Sequence, residues 1–229
     1  MLYRVFDGHC DTPVELWLQE KQLRSSDLAV SLDKAAGLGG YAQFFAFCTA
    51  WIETRMPHTE HFSRALDYFL AQLRKNEDRI TLCRTAPEAE AAMQAGKCAA
   101  FLAIEGAEAV REDEGLLELA YEAGVRMVSL VWNLPNGLSG SCQTGEGLTE
   151  KGKRFFRRAQ KLGMLVDVSH LSEKGFWDMA ELAEKPIVRR LPAPAQSDRR
   201  AVPGHLRSWR HGGAQPLRAV SDRRAARDV

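Results

Sequence analysis

The residues whose types and spacing could do chemistry begin at positions 7–12, where the chain reads Asp-Gly-His-Cys-Asp-Thr. They follow a short apolar run, residues 2–6, which predicts a buried strand. Alternate residues of a strand point the same way, so His9 and Asp11 share a face and Cys10, a packing residue, takes the other. An imidazole beside a carboxylate suits zinc and similar ions. A motif this short also occurs by chance, and the alternative is an Asp that caps the next helix beside a His with no ligand role.

Two further apolar runs end in residues of the same kind. Residues 101–104 end in Glu105, and residues 164–169 end in His170. A carboxylate directly after buried apolar residues is costly unless it is paired or bound to a cation. Each residue has a structural alternative, because Glu105 could pair with an arginine and His170 could cap a helix.

Taken together, two histidines, an aspartate and a glutamate at three separate strand ends favour a metal centre. A glutamate between two imidazoles can bridge two cations, with one oxygen to each. Two metals about 3.5–4 Å apart would hold a hydroxide for attack on a carbonyl.

The elements that must position these residues alternate between strands and helices. The pattern predicts strands at residues 2–6, 41–51, 80–83, 98–104, 125–131, 164–168 and 186–188, and helices at 61–76, 87–95, 115–123, 149–162 and 172–183. Repeated βα units with apolar strands imply a parallel sheet with helical crossovers. A closed (β/α)₈ barrel needs eight strands and typically about 250 residues. The predicted fold class is therefore α/β, a TIM-type barrel with about six recognisable βα units and the last two missing.

Parallel barrels place their active sites at the C-terminal ends of the strands, where the candidate ligands fall. The Gly-, Asn- and Ser-rich segment 132–147 also follows a strand end, and a substrate-side loop and a solvated connection are equally consistent with it. His58 and His61 lie around a predicted helix start, and we expect both to face solvent.

Composition excludes several classes of protein. The net charge of +1 over 229 residues gives no basic field for nucleic acid or an anionic membrane. No run approaches the roughly 18 apolar residues of a membrane span, and the N-terminus has no signal-like segment. The five cysteines, an odd number without a CxxC pair, read as reduced thiols. We therefore expect a cytoplasmic protein with one domain's worth of core.

Here the chain resembles the renal (membrane) dipeptidase family of zinc peptidases, within the amidohydrolase-like barrels. The matching segments are Asp7-Gly-His-Cys-Asp-Thr12, Ala103-Ile-Glu-Gly-Ala107, Leu130-Val-Trp-Asn133 with Asn136, Gly147-Leu-Thr-Glu-Lys-Gly152 and the long run from Leu162 to Trp177. The resemblance covers residues 1 to about 188. It implies a (β/α)₈ barrel with a binuclear zinc centre that hydrolyses dipeptides, including some with a D-residue at the C-terminal position.

Carried over by position, the resemblance assigns His9 and Asp11 to the first zinc. Glu105, also taken as the catalytic residue, would bridge both zinc ions, and His170 would be one of two histidines on the second. A metal-bridging hydroxide would then attack the peptide carbonyl of the substrate. The resemblance also predicts substrate contacts for Trp132, which stands where some relatives have a histidine, and for Asn133.

The pattern breaks after residue 188. The second histidine of the second zinc site should follow closely, but the candidate positions hold Leu191 or Gln196, depending on the alignment. The alignment that gives Gln196 puts Arg207 where the family holds the substrate's carboxylate.

Composition changes at the same point. Residues 189–229 contain ten Arg and no Lys, Ile, Phe or Tyr, whereas residues 1–188 contain twelve Arg and nine Lys. We therefore expect a partial dipeptidase barrel at 1–188 and an irregular or helical, frame-slipped Arg/Pro/Ala-rich tail at 189–229. A basic nucleic-acid-binding arm is a weaker alternative, because the tail has one aromatic residue and no recognisable module.

Three functions follow from these observations. The first is a zinc-dependent dipeptidase, with two Zn²⁺ expected for the family and activity impaired here by the lost ligand. The second is a non-catalytic remnant that binds at most one metal, and the third is a related amidohydrolase acting on another amide or ester. The expected partner is a dipeptide substrate, without nucleic acid or a membrane span, and a homodimer is an option that the sequence leaves open.

Overall fold

The structure is a computed structural model that describes residues 3–52 and 55–189. The predicted tail at 189–229 lies outside the described residues from position 190 onward, and so do Leu191, Gln196 and Arg207. No helix in the described ranges is both long and apolar enough to cross a membrane.

Within residues 3–52 and 55–189, seven parallel strands form one sheet, in the order β1-β2-β4-β5-β6-β7, with β3 paired to the start of β4. The strands are β1 (Arg4–Cys10), β2 (Gly40–Cys48), β3 (Ile80–Leu82), β4 (Cys98–Glu105), β5 (Val125–Ser129), β6 (Leu165–Asp167) and β7 (Ile187–Val188). The helices are α1 (Thr12–Leu18), α2 (Leu32–Ala35), α3 (His58–Lys75), α4 (Ala86–Gln94), α5 (Glu114–Glu122), α6 (Glu150–Leu162) and α7 (Glu173–Leu182), and a 3₁₀ turn spans Ala107–Val110.

The six strands on the main path correspond to the six predicted βα units. The sheet curls into a part-barrel with β1 and β7 at its two ends. The prediction of an α/β fold with an incomplete TIM-type barrel is therefore confirmed.

Local sequence explains where several helices begin and end. Thr149 caps α6 by accepting a hydrogen bond from the Gly152 amide, and Gly163 ends that helix in the left-handed region at φ +86°. Asp113 and Ser172 cap α5 and α7 in the same way.

The two faces of the sheet differ in side-chain size. On the outer face, large residues such as Phe45 and Phe47 of β2 pack against Phe69 of α3. On the inner face, small residues dominate, and the aromatic pair Phe44 and Phe101 stacks with ring centroids 5.1 Å apart. Strands buried on both faces explain the continuous apolar runs in the sequence.

The inward-facing residues at the C-terminal ends of the strands form one register layer. Glu105 is paired with Cys48 of β2 on one side and with Ser129 of β5 on the other, and Ser129 is paired with Asp167 of β6. Strand pairing therefore fixes the height at which the polar side chains of this layer stand in the part-barrel.

Candidate metal centre

A β-bulge at the end of β1 sets the direction of His9. Between Asp7 and Cys10, β1 has one residue more than the facing segment of β2. The Asp7 carboxylate accepts a hydrogen bond from the His9 amide at 3.1 Å. Beyond the bulge, Cys10 is buried in the outer core, where burial raises the pKa of its thiol to about 12. The prediction that Cys10 is a packing residue agrees with this position.

Glu105 lies between two imidazoles. Its Oε2 is 3.4 Å from His9 Nε2, and its Oε1 is 3.0 Å from His170 Nε2. The residue is only 5% exposed. Each carboxylate oxygen therefore faces a different histidine, which is the arrangement that a bridging carboxylate requires.

Asp11 completes a three-residue cluster. Its Oδ1 is 3.3 Å from His9 Nε2, and ligand atoms of His9, Asp11 and Glu105 all lie within 4.8 Å of one another. Asp11 stands at the N-cap position of α1, but its side chain makes no capping hydrogen bond. The helix-cap alternative for this aspartate therefore does not hold.

His170 approaches the cluster from the end of β6. Its backbone is left-handed, at φ +66°, and its Nδ1 is 3.0 Å from Oδ1 of Asn133. Ser172, not His170, caps the following helix. The capping alternative for His170 is therefore excluded as well.

The segment 132–147 is packed at its centre and exposed toward its end. Leu138, Ser139 and Ser141 are fully buried or nearly so, whereas residues 142–146 are exposed. The ring of Trp132 lies 6.3 Å from the His170 ring, and Asn133 contacts that same imidazole. Two of the three residues predicted to touch substrate, Trp132 and Asn133, therefore stand next to a candidate ligand.

Several residues near the cluster were not predicted from the sequence. The thiol of Cys48 stands beside Glu105, and burial together with the charge of Glu105 raises its pKa. Asp167 accepts hydrogen bonds from the amide and the hydroxyl of Ser169, at 2.9 and 2.6 Å. Asp167 could have been noticed as a second polar residue on an otherwise apolar strand, whereas nothing in the sequence marks Cys48.

The prediction for His61 is wrong. The residue is 3% exposed and packs against Trp17, with ring centroids 5.3 Å apart, because α3 begins three residues earlier than predicted and turns His61 toward α1. His58 is partly buried, with Nδ1 3.1 Å from the carbonyl oxygen of Thr49.

A parallel part-barrel with imidazoles and carboxylates converging at its strand ends defines the class of barrel-type metal-dependent hydrolases. The profile of the membrane dipeptidase family, peptidase family M19, matches residues 2–206. The chain belongs to this family, whose members are dipeptidase-type metallopeptidases. The match extends past residue 188, where the composition changes.

Individual relatives agree with this assignment. An uncharacterised protein of Acinetobacter calcoaceticus, from the PQQ-III 3′ region, is 30% identical over 80% of this chain and 69% of its own length. The crystal structure of the dipeptidase AC, a metallopeptidase of family M19, is similar with a TM-score of 0.71 and 29% identity, over 82% of this chain and 62% of that one. A metallopeptidase from Rhodobacter sphaeroides, solved with a phosphinate mimic of the dipeptide L-Ala-D-Ala, is similar with a TM-score of 0.69 and 28% identity, over 82% of this chain and 64% of that one. The chain thus spans somewhat less than two thirds of the two solved structures.

Proposed function

We propose that this chain is a zinc-binding hydrolase of dipeptides whose activity depends on Glu105. The observation that carries the proposal is the position of this buried carboxylate, with one oxygen toward His9 and the other toward His170. Two separate histidines on two carboxylate oxygens favour a two-ion site over a single ion pair.

The donor atoms fit zinc. His9, Asp11 and Glu105 would hold the first ion through nitrogen and oxygen, and Glu105 and His170 would hold the second. When bound, the metal polarises the scissile carbonyl and activates water for attack at neutral pH.

The protein supplies position and charge around that chemistry. Burial of Glu105 to 5% exposure keeps its carboxylate from being solvated by bulk water, so its negative charge acts strongly on nearby cations. The indole of Trp132 supplies an apolar surface next to His170 for the substrate's side chain. We further propose that Asn133 and Arg207 contact the substrate, and that Arg207 binds the carboxylate of the substrate.

Loss of the second histidine predicts an impaired enzyme. With Leu191 or Gln196 at the expected position, His170 and Glu105 would hold the second ion without its third protein ligand. A non-catalytic remnant with at most one metal is therefore the second candidate function. The third, a related hydrolase of another amide or ester, draws on the same chemistry; the dipeptide mimic bound by the Rhodobacter sphaeroides relative favours dipeptides.

Metal analysis of the purified 229-residue chain tests these alternatives. About two zinc ions per chain with dipeptide turnover would support the enzyme, and one or none without turnover would support the remnant. Turnover of acylated amino acids or lactones in place of dipeptides would support the third function.

Glu105→Gln is the sharpest variant, because it weakens both ions at once and should remove most activity. Glu108→Gln is its control, since Glu108 is a neighbouring, half-buried glutamate that accepts a hydrogen bond from Asn136 instead of facing a histidine, and it should keep its zinc. Full zinc content and activity in Glu105→Gln would refute the bridging role.

Three coarser features belong to the same proposal. We propose that the catalytic unit is the barrel part at 1–188, that 189–229 is a separate tail, and that the protein acts in the cytoplasm. The five cysteines are free thiols in the structure, which supports a reducing compartment. A homodimer stays a prediction that the mass of the protein in solution would test.

A further inference from the structure

We propose that Asn133 is a positioning residue for His170, which it holds in the ring orientation that a second zinc ion needs. This inference rests on the proposed function, because it gives His170 a ligand role. It assigns Asn133 a task on the protein itself, in addition to any contact with substrate.

The two ring nitrogens of His170 face two different oxygen atoms. Nδ1 is 3.0 Å from Oδ1 of Asn133, and Nε2 is 3.0 Å from Oε1 of Glu105. An amide oxygen can only accept a hydrogen bond, so the contact with Asn133 requires the proton to be on Nδ1. In a neutral imidazole, Nε2 then carries a lone pair toward Oε1 of Glu105, which can also only accept, so a cation between these two atoms is what makes the pair favourable.

This division of roles is the one a metal-binding histidine needs. A ligating imidazole generally donates its other N–H to an oxygen of the protein, which fixes both the tautomer and the plane of the ring. For His9, by contrast, the structure gives a hydrogen bond that orients the backbone, from its amide to Asp7. Asn133 therefore fixes the ring of one candidate ligand, where Asp7 fixes the main chain of the other.

Asn133 is itself held in place. Its backbone carbonyl oxygen accepts a hydrogen bond from the Ser141 hydroxyl at 2.7 Å. Three residues further on, the Asn136 side chain donates to Glu108 and to the Leu130 carbonyl, both at 2.8 Å. The loop thus anchors Asn133 through both neighbouring segments, which a residue that only lines a substrate pocket would not need.

The same loop also grips the backbone of His170. The amide of Cys142 donates to the His170 carbonyl at 2.7 Å, and Ser141 is bridged to Leu171. A left-handed backbone is unfavourable for a non-glycine residue, so contacts from its surroundings must hold His170 at φ +66°. Two contacts from one loop, one to the ring and one to the main chain, therefore fix the direction of Nε2.

Zinc titration of the full 229-residue chain, in competition with a chromophoric chelator, tests the inference. Asn133→Ala should weaken the His170-dependent zinc by about 10–100-fold, the usual effect of removing an outer partner of a ligand. Asn133→Asp keeps an acceptor oxygen and should retain the affinity. His170→Ala defines which part of the zinc binding depends on this imidazole.

A second readout separates positioning from mere stability. Long-range ¹H–¹⁵N spectra of the zinc-loaded chain should show His170 protonated at Nδ1 in the parent and in Asn133→Asp, but not uniformly so in Asn133→Ala. Ser139→Ala is the matched control: it removes a buried hydroxyl of the same loop that donates to the Gly140 carbonyl, should lower stability and should leave the tautomer unchanged. If Asn133→Ala does not fold, Asn133→Ser, whose hydroxyl is too short to reach the ring, takes its place.

The outcomes distinguish this inference from the proposed function. If Asn133→Ala keeps both the zinc affinity and the tautomer while His170→Ala loses the ion, the positioning role is refuted and the metal site stands. If His170→Ala also leaves zinc binding unchanged, the second ion site is refuted and the positioning role falls with it.

Discussion

The two halves of this molecule hold their candidate ligands in different ways. The β1–β4 half, residues 3–105, supplies His9, Asp11 and Glu105 from two strands that both pair with β2. The β5–β7 half, residues 125–189, supplies His170 from the residue just past a three-residue strand, and the loop from 132 to 147 holds it there. Main-chain pairing positions the first group, and side-chain contacts from a loop position the second.

This difference predicts which part of the candidate metal centre tolerates the loss of a single contact. Continuous ladders resist the loss of single contacts, whereas a ligand held by a few hydrogen bonds depends on each of them. The histidine that the family places next to His170 would lie beyond β7, in the segment where the sequence departs from the family pattern. We therefore expect the β1–β4 half to bind its ion more tightly than the β5–β7 half.

The largest expected effect compares the two histidines directly. His9→Ala should lower the affinity for the tighter zinc ion by more than about 100-fold, because it removes a ligand rather than an outer partner. His170→Ala should spare that ion and affect only the weaker one. Elemental analysis after gel filtration measures the zinc that each variant retains. Equal losses of zinc in the two variants would contradict the expected difference between the halves.

The next effect concerns the point where the halves meet. Gly106 follows Glu105 at φ +87°, and a Cβ there would lie 2.5 Å from Oε2 of Glu108 and 3.6 Å from Cβ of Trp132. Gly106→Ala should therefore cost about 1–2 kcal/mol of unfolding free energy in urea from backbone strain, plus the smaller cost of moving the Glu108 carboxylate away from Asn136.

Gly96→Ala is the matched control for this substitution. Gly96 is also left-handed, at φ +72°, but a Cβ there meets nothing within 4 Å. It should cost only the backbone strain of about 1 kcal/mol. Equal destabilisation by both variants would mean that displacing the Glu108 side chain in Gly106→Ala costs nothing.

A smaller effect is expected from pH, through His61 in the β1–β4 half. Burial lowers the pKa of this imidazole below its ordinary value of about 6.5. As the pH falls through that value, the unfolded chain takes up the proton before the folded one, so stability decreases toward acid and is fully retained above about pH 6.5. Urea denaturation at pH 7.5 and 5.5 should show this loss.

The contribution of His61 is the difference between the parent and His61→Leu, whose stability should depend less on pH over the same interval. Arg74→Gln is a control on the same helix: it removes an exposed charge far from His61 and should leave the pH dependence nearly unchanged. A His61→Leu variant with the parent's pH dependence would contradict the assignment.

The smallest effect distinguishes the halves by thiol reactivity. All four cysteines of the β1–β4 half are buried, and Cys142 of the loop is exposed. Native protein should therefore react with about one equivalent of a maleimide at pH 7, and denatured protein with five, as counted by intact mass. Rapid modification of a second thiol would show that the β1–β4 half opens more readily than its pairing suggests.

Much of this molecule could be read from residue order. The continuous apolar run 98–104 predicted β4, because strands buried on both faces need no polar alternation, and the β-rich composition of 41–51 predicted β2. The candidate ligands His9, Glu105 and His170 were visible because each lies at or just past the end of a predicted strand. Element ends were less exact: β5 stops at Ser129, two residues before its predicted end, and α3 begins at His58.

The residues that the sequence did not reveal depend on contacts between distant segments. Asn133 and His170 are 37 positions apart, and their hydrogen bond exists only because the loop folds back over β6. Cys48 meets Glu105 through strand register, and His61 is buried because α1 packs against α3. Local pattern carries no information about such partners.

What the sequence by itself determined is the sheet and the set of candidate ligands at its strand ends, since periodicity already indicates buried parallel strands with polar ends. Only the tertiary structure decided which way those ends point. Alternation puts His9 and Asp11 on one face of β1, but simple alternation from the inward-facing Phe6 would turn that face toward the outer core. The extra residue in β1 reverses the alternation, because a bulge shifts every later side chain to the opposite face. That single irregularity brings His9 beside Glu105.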